Sequence, residues 1–149
     1  MIEIDLAAVQ RFFDQAPFMV DLGVQAVAVG AGTVTTELAI QPRHFQHTGQ
    51  VHAGVMATMA DHTMGAAAQT QAPQGHWVIT AELKTSLLRP AQGERLVCEA
   101  VVIKAGRTLS FTEAEVYAVS GAESGVASQG QRKLVMKASA TMALVSHKE

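Results

Sequence analysis

A chain of 149 residues has room for one domain of ordinary size, and 48% hydrophobic against 16% charged residues belongs to a packed globule rather than a disordered or surface-adsorbed chain. A formal charge of −2, with no run of Lys or Arg, excludes the basic footprint that nucleic-acid binding requires. The acidic start, Met1-Ile2-Glu3-Ile4-Asp5, and the lack of a long apolar run after it point away from export and membrane insertion; a lone cysteine, Cys98, suits a reducing cytoplasm.

Asp5 is a plausible N-cap for a helix over Leu6 to Gln15, with Val9, Phe12 and Phe13 on one side and Pro17 ending it. Beyond Gly23, two alternating runs separated by Gly30 and Gly32 predict a hairpin, the second run placing Val34, Thr36, Leu38 and Ile40 on one face. Gln41 to Val51, with Pro42 and Gly49 and little periodicity, reads as a loop. The next element is a helix over Ala53 to Thr70. It lacks a broad charged face, since Val55, Met56, Met59, Ala60, Met64, Ala66, Ala67 and Ala68 surround it, as expected of a helix enclosed by protein.

Four alternating segments complete the chain. Ile79, Ala81, Leu83, Thr85 and Leu87 share one face of the first, and Leu96, Cys98, Ala100 and Val102 one face of the second, which makes Cys98 a buried small hydrophobe. Thr108 to Val119 is the third; Leu134, Met136, Ala138, Ala140, Met142 and Leu144 mark the fourth. Between these last two, the Gly- and Ser-rich stretch Ser120 to Arg132 predicts a mobile loop. Six strands around a single apolar helix form an α+β architecture, with an antiparallel sheet wrapped around the helix and residues 1–149 as one domain.

Asp61 is the residue out of place. Its neighbours at helical spacing, Gly54, Ala57, Thr58, Met64, Gly65 and Ala68, include no cation, so burial costs several kcal/mol unless a hydrogen bond or a functional setting compensates. A structural Asp bonded to a loop backbone is the bland alternative. At the helix start, the first backbone N–H groups have no intrahelical acceptor and carry partial positive charge, and small residues at Ala53 and Gly54 let a carbonyl oxygen approach them. Ordinary capping would need no ligand there.

Asp61 lies eight residues after Ala53, ~12 Å along the axis at ~1.5 Å per residue. If both act on one carbonyl, a second copy of the helix must run alongside in the opposite sense, which predicts a two-fold dimer with two shared sites. His44, His47, His52 and His62 match no compact zinc spacing, so no metal is expected. His52 is expected to fix the loop by hydrogen bonding, and His44, His47 and His62 to be solvated.

Gln46, then His52-Ala53-Gly54, then Met59-Ala60-Asp61, together with Thr80, Leu83, Leu88-Arg89-Pro90-Ala91 and Lys104-Ala105-Gly106-Arg107-Thr108, resemble the hotdog-fold thioesterases of the phenylacetate-degradation (PaaI-like) type over roughly Val20 to Val145. The resemblance implies a hotdog fold and hydrolysis of acyl- or aryl-CoA thioesters without a cofactor, by homodimers commonly paired into tetramers. It assigns Asp61 as general base or nucleophile, and the Ala53 N–H as the donor that polarises the carbonyl from the partner subunit. Gln46 stands where the family has Asn beside the attacking water, His52 matches the motif histidine, and Thr80 a hydroxyl at the site. Ala53 replaces a glycine but keeps its N–H. Gly54 belongs to the same helix start. Arg89, Lys104 and Arg107 are candidates for the CoA phosphates or simply solvated charges.

Two other readings stay open. A hotdog hydroxyacyl dehydratase would pair His47 with Asp61 for acid–base elimination; a non-catalytic acyl-CoA binding protein would fit the Gln46 and Ala53 departures. The acyl group is not readable from the sequence, because pocket depth depends on how Phe12, Phe13, Phe18, Met56, Met59 and Trp77 meet the partner subunit.

Overall fold

The computed structural model describes residues 4–121 and 131–147. In chain order it holds α1 (Leu6–Asp14), α2 (Pro17–Leu22), β1 (Gln25–Gly30), β2 (Thr33–Ala39), a 3₁₀ turn at Pro42–His44, α3 (Ala53–Gln69), β3 (His76–Leu87), β4 (Arg95–Ala105), β5 (Leu109–Val119) and β6 (Arg132–Ser146). The strands form one antiparallel sheet in the order β1-β2-β4-β5-β6-β3, and α3 packs against five of them, β2 to β6. This is the expected hotdog arrangement. Residues 122–130, most of the stretch expected to be a mobile loop, lie outside the described residues.

Asp5 caps α1 as expected, its carboxylate accepting from the Ala8 N–H at 2.7 Å. Pro17 does more than end that helix. It opens α2 from its first turn, where an N–H would have no partner anyway, and Gly23 at φ 89° closes α2 in the left-handed region.

The core is the contact of α3 with the inner face of the sheet. Met59, Ala60, Met64 and Ala67 on the helix are sealed from solvent, as are Leu38, Leu96, Cys98, Val116, Met136 and Met142 on the strands. Alanines on both surfaces let helix and sheet approach closely. Two hydroxyls are buried with them: Thr63 donates to the Met59 carbonyl at 2.6 Å, which leaves Thr36 as the donor in its 2.8 Å bond to Thr63. Burial pushes the neighbouring Cys98 thiol up to about 12, so it stays protonated and inert, as its apolar position predicted.

One strand corrects the sequence reading. β3 pairs with β6 as Thr80↔Met142, Glu82↔Thr141 and Leu83↔Ala140, so Ala81 is an extra residue in a β-bulge. Because strand side chains alternate, the bulge puts Val78 and Thr80 on the same face as Leu83, Thr85 and Leu87, and moves Ile79 off it. β3 is also an edge strand, and Leu83 and Leu87 remain 39% and 54% exposed on the helix side.

Candidate active site

The chain enters α3 through a tightly bonded loop. Phe45 and Val51 form an isolated bridge, Val51 N–H donates to the Ala91 carbonyl at 3.0 Å, and His52 N–H to the His44 carbonyl at 2.8 Å. His44 is not solvated, contrary to expectation. It is buried, with Nδ1 accepting from the Gln41 N–H at 3.0 Å and Nε2, which must then carry the proton, 2.8 Å from the Leu22 carbonyl. The ring pins this loop to the end of α2.

His52 is the N-cap of α3, and its Nδ1 accepts from the Gly54 N–H at 2.8 Å. The loop-fixing role expected of His52 is therefore a helix cap. Val55 N–H donates to the His52 carbonyl at 3.0 Å, so the Ala53 N–H is the one amide of these three with no acceptor among the described residues. Gly54 supplies room rather than a donor: a Cβ there would sit 3.0 Å from His52 Nδ1 and push the cap aside. Among the described residues, the helix start thus presents one N–H without an acceptor where several were expected.

This N–H opens on a cleft of about 660 Å³, lined by Gln46, His47, His52, Met56, Leu88 and Arg89 among others. Gln46 turns its amide oxygen back to the Thr48 N–H, leaving its NH₂ group as the part able to reach a ligand. His47 is exposed. Arg89 spends one N–H on the Leu134 carbonyl at 2.8 Å and is otherwise exposed beside the cleft. Lys104 and Arg107 do not line it: Lys104 sits near the far end of β4, ~30 Å along the strand from Arg95, and Arg107 follows in the turn after β4.

Asp61 lies two turns along α3 on the side facing β3. It is half-buried rather than sealed, and Oδ1 accepts from Thr80 Oγ1 at 2.7 Å. The compensation that a lone carboxylate in an apolar helix needed therefore comes from the edge strand, through the bulge at Ala81. Oδ2 has no partner among the described residues. This bond escaped the residue pattern because strict alternation aims Thr80 away from the helix; the resemblance alone pointed to it.

His62 is not solvated either. Its ring stacks on Phe12 at 5.4 Å and meets the edge of Phe13 at 4.5 Å. Burial lowers its pKa, opposed by the adjacent Asp61 carboxylate, so the ring favours the neutral form. Among the described residues, no three His, Cys, Asp or Glu side chains are grouped as metal ligands, and no helix is long and apolar enough to cross a membrane.

Comparison with known proteins adds three findings to this geometry. The family model described as "Thioesterase superfamily" matches residues 48–124, a span that includes the helix start, Asp61 and Thr80. A Halobacterium salinarum protein classed with esterases is 30% identical over 115 residues, 74% of this chain and 76% of that one; human acyl-coenzyme A thioesterase 13 is 28% identical over 96 residues, 62% of this chain and 66% of its own. The crystal structure of a thioesterase family protein from Silicibacter pomeroyi superposes with a TM-score of 0.85 at 29% identity, covering 93% of this chain and 96% of that one.

Proposed function

The chain belongs to the thioesterase superfamily and is a thioester hydrolase, and on that footing we propose that it hydrolyses acyl-CoA thioesters at a site built by two copies of the chain. The observation that carries the reading is Asp61: a carboxylate with one oxygen held by Thr80 and the other free, at the uncovered edge of the sheet.

The Ala53 N–H of one protomer polarises the thioester carbonyl, and Asp61 of its partner acts on the carbonyl carbon. As general base, Asp61 takes a proton from water while the water oxygen bonds to that carbon. The tetrahedral oxyanion rests on the Ala53 N–H; its collapse breaks the C–S bond and expels the CoA thiolate, which takes up the proton. As nucleophile, Asp61 would form the first C–O bond itself, and water would then hydrolyse the mixed anhydride. In both routes His52 holds the helix start in shape, the Gln46 amide lies beside the carbonyl, and Arg89 reaches CoA phosphate.

The edge position of β3 supports the shared site, because two such edges can pair. Such pairing would satisfy the free edge of β3, cover Leu83 and Leu87, and set two α3 helices antiparallel, closing the ~12 Å between Ala53 and Asp61 that one helix cannot close. Lys104 and Arg107 reach a cleft only if it belongs to another protomer. Exposed Val101, Ile103 and Phe111 support the joining of two such dimers into a tetramer, and the buried reduced Cys98 supports a cytoplasmic setting.

Free-thiol detection over a panel of aliphatic and aromatic acyl-CoA esters tests the activity. Thiol release is expected; hydration of crotonyl-CoA without thiol would favour the dehydratase, and tight binding without either a carrier. Thr80→Val tests the carboxylate's orientation. A hydrogen bond to a charged group is worth ~1.5–3 kcal/mol, so kcat is expected to fall roughly 10-fold to 100-fold with KM little changed, and Thr80→Ser to restore it.

A further inference from the structure

We infer that His44 is a positioning residue for the oxyanion donor: it ties the residue before Ala53 to the end of α2, and so fixes where the Ala53 N–H points. The inference rests on the assignment of that N–H above. His44 is 2% exposed, and all of its polar groups are in use. Its N–H donates to the Gln41 carbonyl at 2.9 Å and its carbonyl accepts from the His52 N–H at 2.8 Å, while the ring accepts the Gln41 N–H at Nδ1 and donates from Nε2 to the Leu22 carbonyl. One residue therefore bonds back to α2 and forward to the N-cap of α3.

The Leu22 carbonyl is a fixed partner. It belongs to the last residue of α2, where helix carbonyls lack an intrahelical donor, and Gly23 turns the chain away with its own N–H on the Met19 carbonyl. Arg43 Nη2 lies 3.4 Å from the same oxygen, but its side chain is exposed, so the buried ring is the bond with which water does not compete. At the other end, the His52–Ala53 peptide carries the donor. Its carbonyl is held by the Val55 N–H from within α3, and the N–H of His52 is held by His44 from outside. A half-turn of the ring would put carbon atoms where both nitrogens bond, so the ring has one working orientation. Gln46, two residues on, sits in a turn closed on itself by Gln46 N–H to the Gln50 carbonyl and Gly49 N–H to the Gln46 carbonyl, which leaves the Ala53 donor as the group that His44 governs.

The test is a double-mutant cycle on kcat, with the best substrate of the acyl-CoA panel above. His44→Phe keeps the bulk of the ring and loses both of its hydrogen bonds; kcat is expected to fall ~10-fold to 100-fold with KM within about 2-fold of wild type, the cost of a slightly misplaced donor. His44→Gln, whose amide N–H still reaches the Leu22 carbonyl, is expected to recover at least ~3-fold of that loss. In the Ala53→Pro background the donor is already gone, so adding His44→Phe is expected to slow the residual reaction by less than about 2-fold. If phenylalanine unfolds the chain in a thermal melt, His44→Gln and His44→Asn, each keeping one bond, run the same cycle. Equal losses in the two backgrounds, or a loss carried by KM, would overturn the inference. The two levels separate cleanly. An Ala53→Pro enzyme with wild-type kcat defeats the donor assignment; a slow one in which the His44 loss is additive defeats only the role of His44.

Discussion

Asp61→Asn is expected to lower kcat by ~10³-fold or more while leaving the fold and KM close to wild type. Asparagine has the shape of aspartate, and its carbonyl oxygen can still accept from Thr80 Oγ1, so the contact between α3 and β3 survives. What is lost is the negative charge and the lone pair that takes the proton or attacks the carbonyl. General-base catalysis alone contributes ~10²–10⁴-fold, and a nucleophile's removal costs at least as much. An interaction made mainly in the transition state shows in kcat rather than KM. Thiol release against substrate concentration, with a thermal melt of both proteins, reads all three quantities. Hydrolysis near the wild-type rate would remove Asp61 from the mechanism.

Ala53→Pro is the second large effect: it replaces the Ala53 N–H by a ring carbon and so removes the donor. Ala53 is the first residue of α3, the position at which proline is best tolerated, and its N–H has no acceptor in the protomer among the described residues. His52 at φ −61° and ψ 136° already has the extended conformation required before proline. The helix should therefore form as before, with the oxyanion donor gone. Loss of one such donor costs ~10²–10³-fold in kcat. Ala53→Gly keeps the N–H and is expected to stay near wild type. An equal loss in both variants would trace the effect to the helix start as a whole.

The architecture could be read closely from the chain. An apolar pattern without a charged face marked α3 to within a residue of its observed ends, and alternation located all six strands. Asp61 stood out because it was the one acid in that helix, and the resemblance carried on Gln46, His52, Ala53 and Asp61 was borne out as superfamily and fold. The misses share a cause. A bulge is fixed by the partner strand, so the inserted Ala81 could not be seen in a run where Ile79, Ala81 and Leu83 alternate well. Burial of His44 and His62 depends on Leu22 and on Phe12 and Phe13, segments distant in sequence. Pro17 read as a terminator because its use as a first helical residue depends on the short turn of helix from Phe18 to Leu22, too brief to show a period of its own.

The shared site is tested most directly by mixing two inactive proteins. Asp61→Asn and Ala53→Pro chains, unfolded together in equal amounts and refolded, form mixed dimers for about half of the population. In each mixed dimer one site carries both lesions, while the other combines an intact Asp61 with an intact Ala53 N–H. Activity is expected to return to about a quarter of wild type, with neither variant active when refolded alone. A mixture that stays as inactive as its components would place both groups of a working site on one chain, and contradict the account.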